Sequence, residues 1–360
     1  MENVESTLMA KIKGAHKWML PLCCVAIWGI LQISDARAQA RPFYEDKTIR
    51  IVDYGTAGGG SDLLARLVAR HLPKQIPGNP QVVVQNMPGA AGAIAANYIY
   101  SVAKPDGLAI GLIAGGLYQA QLLGKPEIKF DWVKFGWIGT DQPNVTSLFV
   151  RSDSGHRSLD DIKAAREPVV CADSAAGSPN YAFVRLLTEV FAAKFKQVLG
   201  YQGSGAMNLA IERGEAVCRA ISVTTLLSAE PLKTWVKSGF IRVLVHSGRQ
   251  RDGALPDVPT VWEVAQKQQI GKEDIELMNV VLAAPDFGRP FVAPPGIPEN
   301  RLELLRNSFS KTMKDPEFLM EARKLSLDVN PKNGVELERL AREVMGTSPQ
   351  MVKRLEKLLQ

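Results

Sequence analysis

Cysteine, histidine and clustered charge are what this 360-residue chain has little of: four cysteines, four histidines and no run of five or six lysines or arginines. So few cysteines exclude a small disulfide-knotted scaffold. Beyond the N-terminal region the histidines are His71, His156 and His246, whose spacing matches no metal-binding pattern, so no metal is expected. A formal charge of +6 spread without a basic tract argues against a nucleic-acid partner. Catalytic signatures are missing too: there is no GxGxxG, Walker A, GxSxG or HExxH sequence. No enzymatic activity and no cofactor are therefore expected. His71 reads as a helix-end residue near the negative end of the dipole, and His246, at the end of a strand, is weighed as a base.

What is present is ordinary globular composition, 46% hydrophobic and 22% charged, which excludes a disordered chain, a collagen-like fibre and a polytopic membrane protein. The length suggests about two domains. Lys11, Lys13 and Lys17 precede an apolar run, Trp18–Ile33, broken by Pro21, Gly29 and Gln32. Ser34-Asp35-Ala36-Arg37-Ala38-Gln39-Ala40 follows. A positive patch, a short apolar segment and a small-x-small site make a secretory signal peptide, with cleavage after Ala38 or Ala40. The run is short of the ~20 residues of a membrane span. Residues 1–38 are accordingly expected to be removed and the mature chain to be periplasmic. Cys171 and Cys218 then remain, each in a strand-like run (Pro168–Ala172 and Ala216–Val223). Adjacent parallel strands would bring them within disulfide reach, but two buried free thiols are the expectation.

The mature chain alternates strand and helix patterns. Thr48–Tyr54, Gln81–Gln85, Leu108–Ile113, Phe135–Gly139, Leu148–Val150, Val169–Ala172, Lys196–Tyr201, Val217–Val223 and Ile241–His246 read as strands. Between several of them apolar residues recur at helical spacing, as in Leu63, Leu64, Leu67, Val68 and Leu72. This rhythm predicts an α/β fold with mostly parallel sheets covered by helices. Leu277–Ala283 and Pro290–Ala293 read as further apolar strands; after them helices dominate, one opened by Asp315 as N-cap with Pro316 at the first helical position.

Small residues collect where a strand gives way to a helix: Gly58-Gly59-Gly60-Ser61-Asp62, Ser174 to Asn180, and Gln202 to Ala206. Such loops present backbone N–H groups at the positive end of a helix dipole, and glycine permits close approach of a ligand. None contains lysine or arginine, which favours a small carboxylate held by amides and hydroxyls over a clamped phosphate. Loops of this kind at the carboxyl ends of neighbouring strands point to one shared cleft. Asp62, in a first helical turn, is favourable by the dipole alone.

Five segments in order resemble the extracytoplasmic solute receptors of the tripartite tricarboxylate transporter system, the Bug receptor family. They are Gly58-Gly59-Gly60-Ser61-Asp62 (family PGGGTD), Asn86-Met87-Pro88-Gly89-Ala90-Ala91-Gly92 (NRPGAGG), Pro105-Asp106-Gly107, Gly177-Ser178-Pro179-Asn180-Tyr181 (GSPNH) and Leu255-Pro256-Asp257-Val258-Pro259-Thr260-Val261 (LPDVPTV). The resemblance runs from about Tyr44 to Leu340. It implies a type II periplasmic-binding-protein fold, two α/β lobes joined by crossover strands near Ser147–Val150 and Val243–His246, with a ligand cleft between them. Lobe 1 would comprise residues 39–146 and 247–360, and lobe 2 residues 147–246. The implied role is to capture a small carboxylate and deliver it to a two-component membrane permease; a sensor presenting its closed form to a membrane histidine kinase is the alternative. Expected ligand contacts are Tyr54, Gly59, Gly60 and Ser61 from lobe 1 and Ser174, Ser178, Asn180, Gln202, Gly203 and Ser204 from lobe 2. Gly115, Thr140, Asp141 and Thr224 are added because they end strands facing the same cleft.

Overall fold

The structure, a computed structural model, describes residues 41–360 apart from 143, 177, 326 and 328. The expected signal segment, residues 1–38, lies outside the described residues. Among those residues no helix is long and apolar enough to cross a membrane.

Residues 44–360 form one compact unit built on two sheets. In chain order the strands are β1 (Thr48–Asp53), β2 (Gln81–Asn86), β3 (Ala109–Leu112), β4 (Gly136–Thr140), β5 (Thr146–Arg151) and β6 (Val169–Ala172). They continue with β7 (Phe195–Val198), β8 (Cys218–Ser222), β9 (Ile241–His246), β10 (Pro290–Ala293) and β11 (Lys332–Asn333). The first sheet has the order β11-β4-β10-β3-β1-β2 and the second β7-β6-β8-β5-β9. β1 runs parallel to β2 and β3, and β6 parallel to β7 and β8. β10 is antiparallel to β3 and β4, and β5 to β8 and β9. These two are the first strands laid down after the chain passes from one sheet to the other. Each enters its new sheet from the opposite end, so neither sheet is purely parallel.

Side-chain alternation decides which face each strand buries. Along β1, Ile49 and Ile51 meet Leu64, Val68 and Phe309 on one side, while Val52 joins Ile99, Trp132 and Trp137 on the other. Along β5, Leu148 and Val150 belong to that same continuous core, and Phe149 faces Ile211, Ile221 and Trp235. One core thus reaches from the first sheet to the second.

Leu277–Ala283 is not a strand. It lies inside a helix, Lys272–Phe287, that starts after Gly271 and carries Glu273 and Asp274 in its first turn. The helix packs against Pro179–Phe191, Gly334–Met345 and Pro349–Leu359, and Leu277, Met278 and Val280–Ala283 are all buried. Lys272, Glu273, Glu276 and Asn279 keep an exposed stripe on its first half, but a short run that is apolar except for one residue does not distinguish a buried helix from a buried strand. Asp315 does cap its helix, accepting from the N–H groups of Glu317 and Phe318.

The free-thiol expectation is overturned. Cys171 and Cys218 lie opposite each other on β6 and β8 and are joined as a disulfide. Parallel pairing at that register leaves the two Cα atoms 4.3 Å apart, and only strand order, invisible in sequence, makes β6 and β8 neighbours.

His246 ends β9 fully buried. Its Nδ1 accepts the Gly248 N–H at 3.1 Å, which places the proton on Nε2, and Nε2 has no partner. That ring serves the turn after β9, not proton transfer. Burial lowers its pKa from 6.5, opposed by Asp252 and Glu263 and assisted by Arg251. The fold therefore favours the neutral ring, and as pH falls the unfolded chain takes up the proton first. Stability should be full above pH 6.5, the ordinary value, and fall below it by up to about 1.4 kcal/mol per pH unit until the depressed native pKa is passed. Urea unfolding between pH 5 and 7 will show this slope in the native chain and a flatter one in His246→Asn, which keeps an acceptor for Gly248 and does not titrate.

Candidate functional site

The candidate site is built at the carboxyl ends of the parallel strands. In the first sheet β1 ends in Asp53, and the loop Tyr54–Gly59 turns back into the helix Gly60–His71. A Cβ at Gly55 would lie 2.0 Å from the Ser61 hydroxyl, so a larger residue there would displace the Ser61 side chain. The loop is held by carboxylates. Asp53 accepts from the Gly55 N–H at 3.1 Å and from the Ser61 hydroxyl. Asp62 accepts from the Gly58 N–H at 2.8 Å and from Arg66 at 2.9 Å. The Asn86 amide at the end of β2 reaches Asp53, the Gly55 carbonyl and Asp62 at 3.0, 3.1 and 3.0 Å. The Arg66 hydrogen bond, with those from Gly58 and Asn86, holds the Asp62 carboxyl at about 2, while burial raises that of Asp53. Both acids are engaged by donors within the loop, and Asp62 is paired with Arg66.

Thr140 and Asp141, at the end of β4, are fully buried. Arg289 joins them to the glycine loop: its guanidinium pairs with Asp141 and donates to the Gly60 carbonyl at 3.2 Å. Its backbone N–H donates to the Thr140 hydroxyl at 3.2 Å. Burial raises the Asp141 carboxyl, with Arg289 opposing. Tyr54 is half-buried among Arg289, Asp53 and Asp141, and desolvation raises its phenol. Gly115 is packed away, since a Cβ there would lie 2.5 Å from the Gly288 carbonyl.

The second sheet repeats the plan. Asp173, just past β6, accepts from the Ser174 N–H at 2.7 Å and the Ser178 hydroxyl at 3.1 Å. Ser178 also caps the helix Pro179–Phe191 through the Tyr181 N–H. The Gly200 N–H donates to the Ser174 carbonyl at 3.0 Å, tying the two loops together. Beneath them lies Arg219 of β8, only 2% exposed. It donates to the Ser204 hydroxyl at 2.7 Å and to Asn208. Burial pushes its pKa down to about 10, with Asp173 opposing. Gln202 and Gly203 are exposed, and Asn180 and Thr224 half-buried. Gln202 donates to the Gly200 carbonyl at 3.2 Å.

Tyr54, Gly59, Gly60, Ser61, Thr140 and Asp141 thus come together around Arg289. Ser174, Ser178, Gln202, Gly203 and Ser204 come together around Asp173 and Arg219. Asp141 opens the segment leading to β5, and the Val223 N–H just past β8 donates to the Val145 carbonyl of that segment at 2.8 Å. The hydroxyls of Ser61, Ser178 and Ser204 are already engaged within the protein. The helices Gly60–His71 and Gly203–Arg213, in contrast, have no side-chain cap on their first turns.

Arginine was the residue type missed. The glycine loops contain none, yet Arg289 reaches the first from 229 positions away and Arg219 reaches the last from β8. Arg219 did leave a signal, a lone charge inside the apolar run Ala216–Val223, since a buried charge needs partners. Arg289, Asp53 and Asp173 left none. Replacing Ser178 with alanine removes both a helix cap and a bond to Asp173. We expect a stability loss of about 1 kcal/mol, within the span of about 0.5–2 kcal/mol for loss of a cap, read as an earlier urea midpoint.

Two mixed α/β sheets, each with glycine-rich loops after its parallel strands, match the fold of periplasmic binding proteins. The model of the tripartite tricarboxylate transporter family receptor matches residues 64–357, and the chain belongs to that family, whose members are solute-binding receptors rather than enzymes. It is 26% identical over 324 residues to the UPF0065 protein in the gbd 5'region of Cupriavidus necator, covering 89% of this chain and 90% of that one. A TctC solute-binding protein from Polaromonas shares the fold with a TM-score of 0.70 at 19% identity, over 87% of this chain and 99% of the other. MatC from Rhodopseudomonas palustris with bound malate superposes with a TM-score of 0.53 at 20% identity, over 87% and 99%.

Proposed function

We propose that the chain is a periplasmic substrate-binding protein that captures a small carboxylate between its two lobes and delivers it to a two-component membrane permease. The observation that carries this reading is the pair of helices, Gly60–His71 and Gly203–Arg213, that follow strand ends of the two sheets with first turns uncapped by any side chain. Free N–H groups at the positive end of a helix dipole suit a carboxylate oxygen. The backbone N–H groups of Gly60, Ser61 and Ser204 supply the donors, with the Tyr54 hydroxyl beside them, while the Gly203 N–H is taken by the Tyr201 carbonyl at 3.0 Å. The hydroxyls of Ser61, Ser178 and Ser204 position the loops. Malate in a protein of the same fold supports the carboxylate class, and family membership supports the transport partner.

Thermal melting of the mature protein, unfolded and refolded to strip bound ligand, tests this against di- and tricarboxylates, amino acids, aromatic acids and uncharged controls. A ligand at about 100 times its dissociation constant stabilises by about 2.7 kcal/mol, a clear rise in melting temperature. A shift confined to carboxylates is expected; shifts with uncharged controls alone would sink the proposal.

A further inference from the structure

At the end of the helix Gly60–His71 opposite its cleft-facing turn, about 18 Å along the axis, His71 packs against the helix Pro316–Lys324. The imidazole is 6% exposed and its ring lies edge-on to Phe318. Nε2 meets a Glu321 oxygen at 2.8 Å, and Arg70 holds the other Glu321 oxygen. A histidine whose one nitrogen donates to a carboxylate keeps a lone pair on the other. That other nitrogen, Nδ1, is buried and has no partner among the described residues. A ring nitrogen of His71 and carboxylate oxygens of Asp315 and Glu317 lie within 4.8 Å of one another.

The neighbours do not account for Nδ1. Asp315 uses one oxygen to cap its helix, and its second has a long 3.4 Å contact with the Gln75 amide. Glu317 is paired with exposed Lys74 at 2.7 Å. Two carboxylates and a ring nitrogen of His71 converge, and His71 Nδ1 has no partner among the described residues. A divalent cation satisfies all three together.

We infer a binding site for a first-row divalent cation of zinc-like character, held by His71, Asp315 and Glu317, with Glu321 orienting the imidazole. A nitrogen-containing donor set of three suits zinc or cobalt, not calcium, which takes six to eight oxygens. The ion would fasten the helix Pro316–Lys324 to the helix Gly60–His71, with Lys74 giving up Glu317 to it. The site is independent of the ligand cleft.

Cobalt(II) titration of the chelator-treated mature protein, followed by visible absorption and with zinc as competitor, tests the site. Saturable one-to-one binding is expected, with the ligand-field bands of a low-symmetry complex, displaced by zinc. Glu321→Gln should weaken it about 10- to 100-fold. His71→Phe should abolish it; Asp315→Asn keeps a good N-cap while removing a charged ligand. Glu317→Gln alters an exposed residue, so it decides the matter if the His71 variant fails to fold. Zinc should raise the melting temperature of the native chain and not that of Glu317→Gln. No saturable binding by the native chain, or binding unchanged in Glu317→Gln and Asp315→Asn, overturns the inference.

Discussion

Replacing Arg289 with methionine should cost the fold about 3–5 kcal/mol, the range seen when one partner of a buried ion pair is removed. The carboxylate of Asp141 is fully buried and pairs with the Arg289 guanidinium, so the variant strands a charge inside the protein. It also releases the Gly60 carbonyl, at the turn where the glycine loop enters its helix. Denaturant unfolding will read the loss as a lower midpoint. The double variant Asp141→Asn with Arg289→Met should recover much of it, because the stranded charge is then gone. If the single variant unfolds at the native midpoint, the pair is not the anchor described. Ligand affinity should remain low even in the rescued double variant, since the loop is no longer tied to β4.

Loss of the Cys171–Cys218 disulfide is the other large effect. The bond closes a loop with a sequence separation of 47, and loop-closure entropy for a ring of that size corresponds to about 4 kcal/mol. Cys171→Ala with Cys218→Ala, melted beside the native chain, should lose stability of that order while leaving the strand pairing intact. Reductant should lower the native melting temperature and leave that of the double variant where it was. A melting temperature insensitive to both treatments would show that the bond constrains nothing the sheet does not already hold.

Much of the scaffold was legible along the chain because it rests on local chemistry. The strand–helix rhythm, the capping by Asp315 and the glycine-rich turns after strands depend on residues a few positions apart. The five motif segments carried the family. Where local pattern and tertiary setting part company, the reading failed. Leu277–Ala283 is apolar except for Asn279 because this part of the helix is largely enclosed, so too few polar residues remained to mark its period. Cys171 and Cys218 read as separate thiols because strand order in the second sheet follows from long-range packing. The signals at the site divided in the same way. The loops Gly58–Asp62 and Gln202–Ala206 announced themselves by composition, but the groups that organise them did not. Arg289 reaches Gly60 from a segment more than 200 positions later, and Asn86 reaches Asp53 and Asp62 from the end of a neighbouring strand.

By itself the sequence determined the α/β class, the family, most of the elements and the backbone-rich loops suited to an anion, all of them encoded in spacing and short motifs. Tertiary structure alone decided the reversal of β5 and β10, the disulfide, the arginines beneath the loops and the gathering of His71, Asp315 and Glu317. The physical reason is range. Helix periodicity and turn chemistry act within a few residues, whereas a buried charge or a covalent bridge is satisfied by whatever the folded chain brings alongside it.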